Sequence, residues 1–121
     1  MAGWLLSGLL RYNATRPSVP IVAFGEHSAE PHHVPGSRPL RRSDVVLIDI
    51  FGEAYRHYCC ERTDTFVFDG MNRDAERRIA AVEATLTALQ AAAAPGVTLG
   101  QLERLAGELL TKSGFGDEYP G

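Results

Sequence analysis

Five side chains in this 121-residue sequence have types and spacings that could do chemistry. His32 and His33 stand together in the stretch AEPHHVPGSR, between Pro31 and Pro35. The prolines restrict the backbone on both sides, so the imidazoles are held in place. That suits donation of a hydrogen bond to a developing negative charge; the plain alternative is a surface turn with two exposed histidines. Asp49 lies near the end of the most apolar run in the chain, VVLIDI. A carboxylate there is costly to bury unless a metal ion, an arginine or backbone donors compensate it. It either serves a metal or catalytic site or caps the next turn. Glu61 and Asp64 follow twelve and fifteen positions later. Carboxylates on neighbouring antiparallel strands can face one another and share a divalent cation, or can simply face water. His27 and His57 have no distinguishing neighbours and read as structural.

The elements that must position these residues follow from periodicity. Trp4, Leu5, Gly8, Leu9 and Tyr12 recur at three-to-four spacing, which predicts a short amphipathic helix over residues 2–13, ended before Pro17. Residues 20–68 are strand-like, with apolar or β-branched runs at Ile21–Phe24, Val45–Ile50, Tyr55–Cys60 and Thr65–Phe68. Gly52-Glu53 suits a tight hairpin connection between the second and third of these. Ile79, Val82, Leu86, Leu89 and Ala93 then predict one buried stripe on a helix over about 74–94, stopped by Pro95-Gly96. Thr98 with Gln101 three residues on has the form of a capping box. It opens a helix over 98–113 that buries Leu102, Leu105 and Leu109 and ends at Gly114. Strands followed by two helices predict an α+β domain, a mainly antiparallel sheet with helices on one face.

Composition bounds the partners. A formal net charge of -3 gives no electrostatic reason to expect nucleic acid or an anionic membrane surface. No run approaches the roughly 18 apolar residues needed to span a bilayer. The apolar N-terminal run has no basic residues before it and no cleavage pattern after it, so a cytoplasmic protein is expected. Cys59 and Cys60 are adjacent, a spacing poorly suited to an ordinary disulfide, and read as reduced thiols on a strand. Asn13-Ala14-Thr15 matches a glycosylation acceptor that has no meaning in the cytoplasm.

Longer stretches carry a resemblance. PIVAFGEHSAEPHHVPGSRPLRRSDVVLIDI followed by YRHYCCERTDTF resembles the pita-bread metallopeptidases of family M24, which include Xaa-Pro aminopeptidases, prolidases, creatinases and methionine aminopeptidases. Their pattern runs roughly IVASGxNAAxPHHxPxxRxLxxGDxVLIDxGxxYxGYCSDxTRTF. PGVTLGQLERLAGELLTKSGFGDEYPG resembles, more loosely, the family's PGxTxxEIDxxARxxLxxxGYGDxFPH. The PHHxP form points to the Xaa-Pro branch. The resemblance implies half of a pita-bread fold and metal-assisted hydrolysis at the N-terminus of a peptide with proline in second place. It also implies two divalent ions (Mn, Co or Zn) held by five side chains. Asp49 matches the first metal ligand, and Glu61 stands where the second, an aspartate, is expected. His32 matches a histidine at the rim of the active site, implied to bind substrate and stabilise the tetrahedral intermediate; His33 carries over no role.

Departures from the pattern set further expectations. The family's D-x-G becomes Asp49-Ile50-Phe51-Gly52, one residue longer. That insertion turns the two carboxylates to opposite faces unless a bulge absorbs it. The family's TRT becomes Thr63-Asp64-Thr65, placing an anion where a cation is expected, and Ser43 replaces the glycine of GD. The chain ends at Tyr119-Pro120-Gly121, where the family continues toward its remaining His and two Glu ligands. Two carboxylates alone make a weak, largely hydrated site, so these 121 residues by themselves are expected to have little or no peptidase activity. Two functions fit: part of an Xaa-Pro-type exopeptidase, or a degenerate pita-bread module that binds peptide or protein without hydrolysis. A half-domain lacking its pseudo-symmetric second half is also expected to self-associate.

Overall fold

The computed structural model describes residues 1–12, 14 and 16–119, with Ala54 and Tyr55 as backbone only. Asn13 and Thr15 of the glycosylation-like triplet, and the final Pro120-Gly121, lie outside the described residues. The chain forms two compact units, Met1–Asn72 and Arg73 onward. Among the described residues no helix is long and apolar enough to cross a membrane.

The first unit opens with helix α1 (Ala2–Arg11), two residues shorter than its periodicity suggested. Leu5, Leu6 and Leu9 are half-buried, while Trp4 and Tyr12 are exposed. Strands β1 (Arg16–Pro17), β2 (Ile21–Phe24), β3 (Val45–Tyr55) and β4 (Tyr58–Val67) form one antiparallel sheet. The β-branched run of the sequence supplies β3, which is central. β4 pairs with it along its whole length, so β1 and β2 must share its other edge. Among the described residues, Pro20, Val22, Ala23 and Val46 are the buried apolar residues of this unit.

The structure corrects the expected hairpin. Gly52-Glu53 is not a turn; β3 runs through it, and Gly52 pairs with Cys60. The turn is Arg56-His57, with φ of 47° and 68°. Positive φ at both central residues is what a two-residue turn matching the strand twist requires. The last two expected strands are therefore one strand, β4. Gly52 has a different reason to be glycine. A Cβ there would lie 2.9 Å from both Arg16 O and Pro17 Cα, so its absence lets the β1 backbone come close.

In the second unit, α2 (Arg73–Ala92) and α3 (Leu99–Lys112) pack against each other. The capping box is present: the Thr98 hydroxyl accepts from Gln101 N at 3.3 Å, and Thr98 N donates to Gln101 Oε1 at 2.8 Å. Gly114, at φ 84°, follows the end of α3 in the left-handed conformation that closes many helices. The α2 stripe is corrected. The buried residues are Ala75, Ala81 and Thr85, whereas Val82 and Leu86 are 56% and 53% exposed and Ala93 is exposed. Helical period fixes the spacing of a stripe; on an alanine-rich helix it leaves open which of two adjacent lines is covered. Small residues on the buried line allow close approach. The Thr85 hydroxyl is satisfied by donating to Ala81 O at 2.8 Å.

Candidate functional site

Asp49 sits on β3 and is only 8% exposed. Its cross-strand partners are Ile21 on β2 and Thr63 on β4, and the Thr63 hydroxyl donates to Asp49 Oδ1 at 3.1 Å. Among the described residues this is the only hydrogen bond to the Asp49 carboxylate, which leaves Oδ2 with its lone pairs uncommitted. Glu61 is exposed on β4 and pairs with Phe51. Side chains alternate faces along a strand, so Asp49, Phe51, Glu61 and Thr63 share one face of the sheet.

A bulge produces this arrangement. Tyr55 pairs with Tyr58 but Glu53 pairs with Cys59, so Ala54 has no partner residue on β4. Continuing the register of the turn unshifted would pair Glu61 with Gly52 and turn it to the face opposite Asp49. The extra residue is thus taken up at Ala54, and the two carboxylates stay on one face. Diagonal neighbours in an antiparallel pair lie about 7–8 Å apart, with their Cβ atoms somewhat closer. Carboxylate oxygens from both can then reach one cation at about 2.0–2.2 Å each, helped by the extra methylene of Glu61.

Asp64 does not join them. It pairs with Ile48 on the opposite face and is held by Arg62, whose Nε and Nη2 each donate at 2.9 Å. That contact lowers the Asp64 pKa. The exchange of cation for anion in Thr63-Asp64-Thr65 therefore falls on the far side of the sheet from Asp49.

Sequence reasoning missed Glu53, read as a turn residue. It is 8% exposed on the Asp49 face, with Arg16 Nε at 3.5 Å and His57 in contact across the hairpin. Its spacing of two from Phe51 and four from Asp49 was visible, but the misplaced turn hid it.

The loop between β2 and β3 carries the histidines. It begins with a 3₁₀ turn, Gly25–Ala29. Arg38 binds both oxygens of Asp44 (2.8 and 3.0 Å) and donates from Nε to Glu26 at 2.9 Å. Arg41 N also donates to Asp44 Oδ2 at 2.8 Å. The guanidinium beside it holds the Asp44 carboxyl down to about 2. Ser43, in place of the family's glycine, has φ 63°, the conformation for which glycine is suited. His32 is exposed and makes no hydrogen bond among the described residues. His33 behaves differently: its side chain is 11% exposed, and Nδ1 lies 2.7 Å from Glu30 Oε2. His27, expected to be merely structural, places its Nδ1 2.8 Å from Glu30 Oε1.

The sequence pattern of metallopeptidase family M24 matches residues 2–121. This chain belongs to that family. An uncharacterized peptidase of Staphylococcus epidermidis is 35% identical over 100 residues, 83% of this chain and 28% of the relative. The chain thus spans less than a third of that relative's length. Dipeptidase PepE from Mycobacterium ulcerans is structurally similar with a TM-score of 0.89 at 26% identity, over 99% of this chain and 32% of that one. The prolidase from Pyrococcus furiosus gives 0.88 at 29% identity, over 99% and 36%. The α+β fold with its antiparallel sheet is therefore the expected partial pita-bread fold, and the M24 family is metal-dependent.

Proposed function

We propose that this M24 chain supplies Asp49 and Glu61 as carboxylate ligands of an exopeptidase of the Xaa-Pro aminopeptidase or dipeptidase type. The substrate would be a peptide with proline in second position, met in the cytoplasm. The observation that carries the reading is the shared face of Asp49 and Glu61, kept by the bulge at Ala54 despite the inserted residue. The donor set fits the metal the family implies: two carboxylates, one of them buried with an uncommitted oxygen, are hard donors suited to Mn²⁺. A divalent ion bound there supplies polarisation of the scissile carbonyl. Thr63 fixes the Asp49 rotamer through its hydroxyl, and the sheet holds both carboxylates at a set spacing. His32, exposed and uncommitted on its proline-bounded loop, is assigned to hydrogen-bond the substrate.

The test is a Mn²⁺ titration followed by electron paramagnetic resonance. Weak binding that is lost in Asp49→Asn and reduced in Glu61→Gln supports the assignment; binding indifferent to Asp49→Asn refutes it. The same reading expects the 121 residues alone to show little turnover of an Xaa-Pro dipeptide with Mn²⁺. Turnover at an ordinary enzymatic rate would show that the ligands not matched in this chain are dispensable.

A further inference from the structure

The sequence His27-Ser28-Ala29-Glu30-Pro31-His32-His33 places two imidazoles and a carboxylate at a spacing of three. A spacing of three puts residues on one side only where the backbone turns every three residues. The loop does so twice in succession. Glu30 N donates to His27 O at 3.1 Å and His33 N donates to Glu30 O at 3.2 Å. His32, outside this period, is exposed, whereas the His33 side chain is largely buried.

The three side chains converge. Glu30 presents one oxygen to His27 Nδ1 at 2.8 Å and the other to His33 Nδ1 at 2.7 Å. The two rings stack with centroids 4.6 Å apart and an interplanar angle of 25°. One ligand atom from each residue lies within 4.8 Å of the others. In a tetrahedral zinc site with bonds of about 2.0–2.1 Å, ligand atoms are about 3.4 Å apart. The widest edge thus contracts by no more than about 1.4 Å, and the 2.7 and 2.8 Å contacts of Glu30 with the imidazoles open by about 0.6 Å. The surroundings are organised beforehand: the Ser28 hydroxyl donates to Gly25 O at 2.7 Å, and Arg38 ties Glu26 of the same turn to Asp44. His33 is largely buried while Glu30 is about half exposed, so one side of the cluster opens to solvent.

We propose that His27, Glu30 and His33 bind a single borderline divalent cation of the zinc type, with solvent completing the coordination. Two imidazoles and one carboxylate are a donor set that suits zinc and disfavours magnesium or calcium. When the ion binds, the proton that each Nδ1 now donates to Glu30 passes through solvent to Nε2, so that both rings ligate through Nδ1. The site is separate from Asp49 and Glu61 and does not rest on the peptidase assignment. An ion there would fix the loop on which His32 is carried, coupling zinc occupancy to the mobility of His32.

The test is a Zn²⁺ titration of the ¹⁵N-labelled chain, read through long-range ¹H–¹⁵N spectra of the imidazoles. Cys59→Ser and Cys60→Ser are included because both thiols are exposed and free and would compete for the ion. At one equivalent the Nδ1 signals of His27 and His33 should shift, while those of His32 and His57 stay. Glu30→Gln should weaken binding by about tenfold or more, and Asp49→Asn should leave these shifts unchanged. Nδ1 signals of His27 and His33 that do not move in excess Zn²⁺, or that move equally in Glu30→Gln, overturn the proposal.

Discussion

Replacing Gly25 by alanine tests how tightly the histidine loop is built. Gly25 has φ 61° and opens the 3₁₀ turn that leads to His27. A Cβ there would lie 2.2 Å from Arg38 Nη2, 2.7 Å from Arg38 Cζ and 2.9 Å from Asp44 Oδ1. The left-handed conformation costs a residue with a Cβ roughly 1–2 kcal/mol, offset by about 0.4–1 kcal/mol from the stiffer unfolded chain. Overpacking adds about 1–3 kcal/mol, because the guanidinium has three hydrogen bonds to carboxylates and cannot swing aside without breaking some of them. Gly25→Ala should therefore destabilise the first unit by about 2–4 kcal/mol. Gly96 provides the control. Its φ is 93° and nothing lies within 4 Å of the place a Cβ would take, so Gly96→Ala carries the backbone cost alone, about 1 kcal/mol. Urea denaturation followed by circular dichroism measures both. Equal losses for the two variants would refute the steric argument and show that the Arg38–Asp44 pair yields freely.

Other perturbations address separate features. Ser43→Gly relieves a left-handed serine and should stabilise by about 0.5–1 kcal/mol, read as a rise in the urea midpoint. The Asp44 carboxyl titrates lower in the folded chain than its ordinary value of 3.8, at about 2. Its contribution to stability is therefore present above pH 3.8 and is lost as pH falls toward 2; Arg38→Met should flatten that part of the stability–pH curve. Thr98→Ala removes the α3 cap and should cost about 0.5–2 kcal/mol in the same denaturation assay. Val82 and Leu86, exposed on one face of α2 at i and i+4, should drive concentration-dependent association. Sedimentation velocity showing a clean monomer at all concentrations would contradict this, and Leu86→Glu should reduce the association.

What could be read from the sequence divides along physical lines. The VVLIDI strand, the capping box at Thr98 and the left-handed Gly114 were legible because each rests on local chemistry: β-branched packing, an orphan N–H to satisfy, a φ that favours glycine. The hairpin was misread because Arg56-His57 lacks the asparagine, aspartate or glycine that usually marks a two-residue turn, while Gly52 is a glycine for an unrelated reason, the close approach of β1. That error propagated. With the turn displaced by four residues, Glu53 read as a loop carboxylate and not as a buried group on the Asp49 face. The pairing of His27 and His33 with Glu30 was also out of reach. Their three-residue period looks like no helix or strand until two successive tight turns are known to lie beneath it.

The departures from the M24 pattern were the main ground for reading the chain as a degenerate binding module. Each of the three nearest to Asp49 is accommodated by backbone geometry. The extra residue leaves the ladder as a bulge at Ala54, so Glu61 remains on the Asp49 face. The anion that replaces a cation, Asp64, points to the other face and is neutralised there by Arg62. The serine that replaces a glycine, Ser43, adopts the glycine-like conformation, and its N–H donates to Phe68 O at 2.7 Å. Random decay would not be expected to keep the parity of two carboxylates across an insertion, since a one-residue slip reverses every face. A bulge beside an inserted residue restores the aim of the side chains beyond it. The pair whose parity is kept is Asp49 and Glu61, which supports the proposed exopeptidase reading over the binding module and makes Asp49→Asn the variant on which that choice turns.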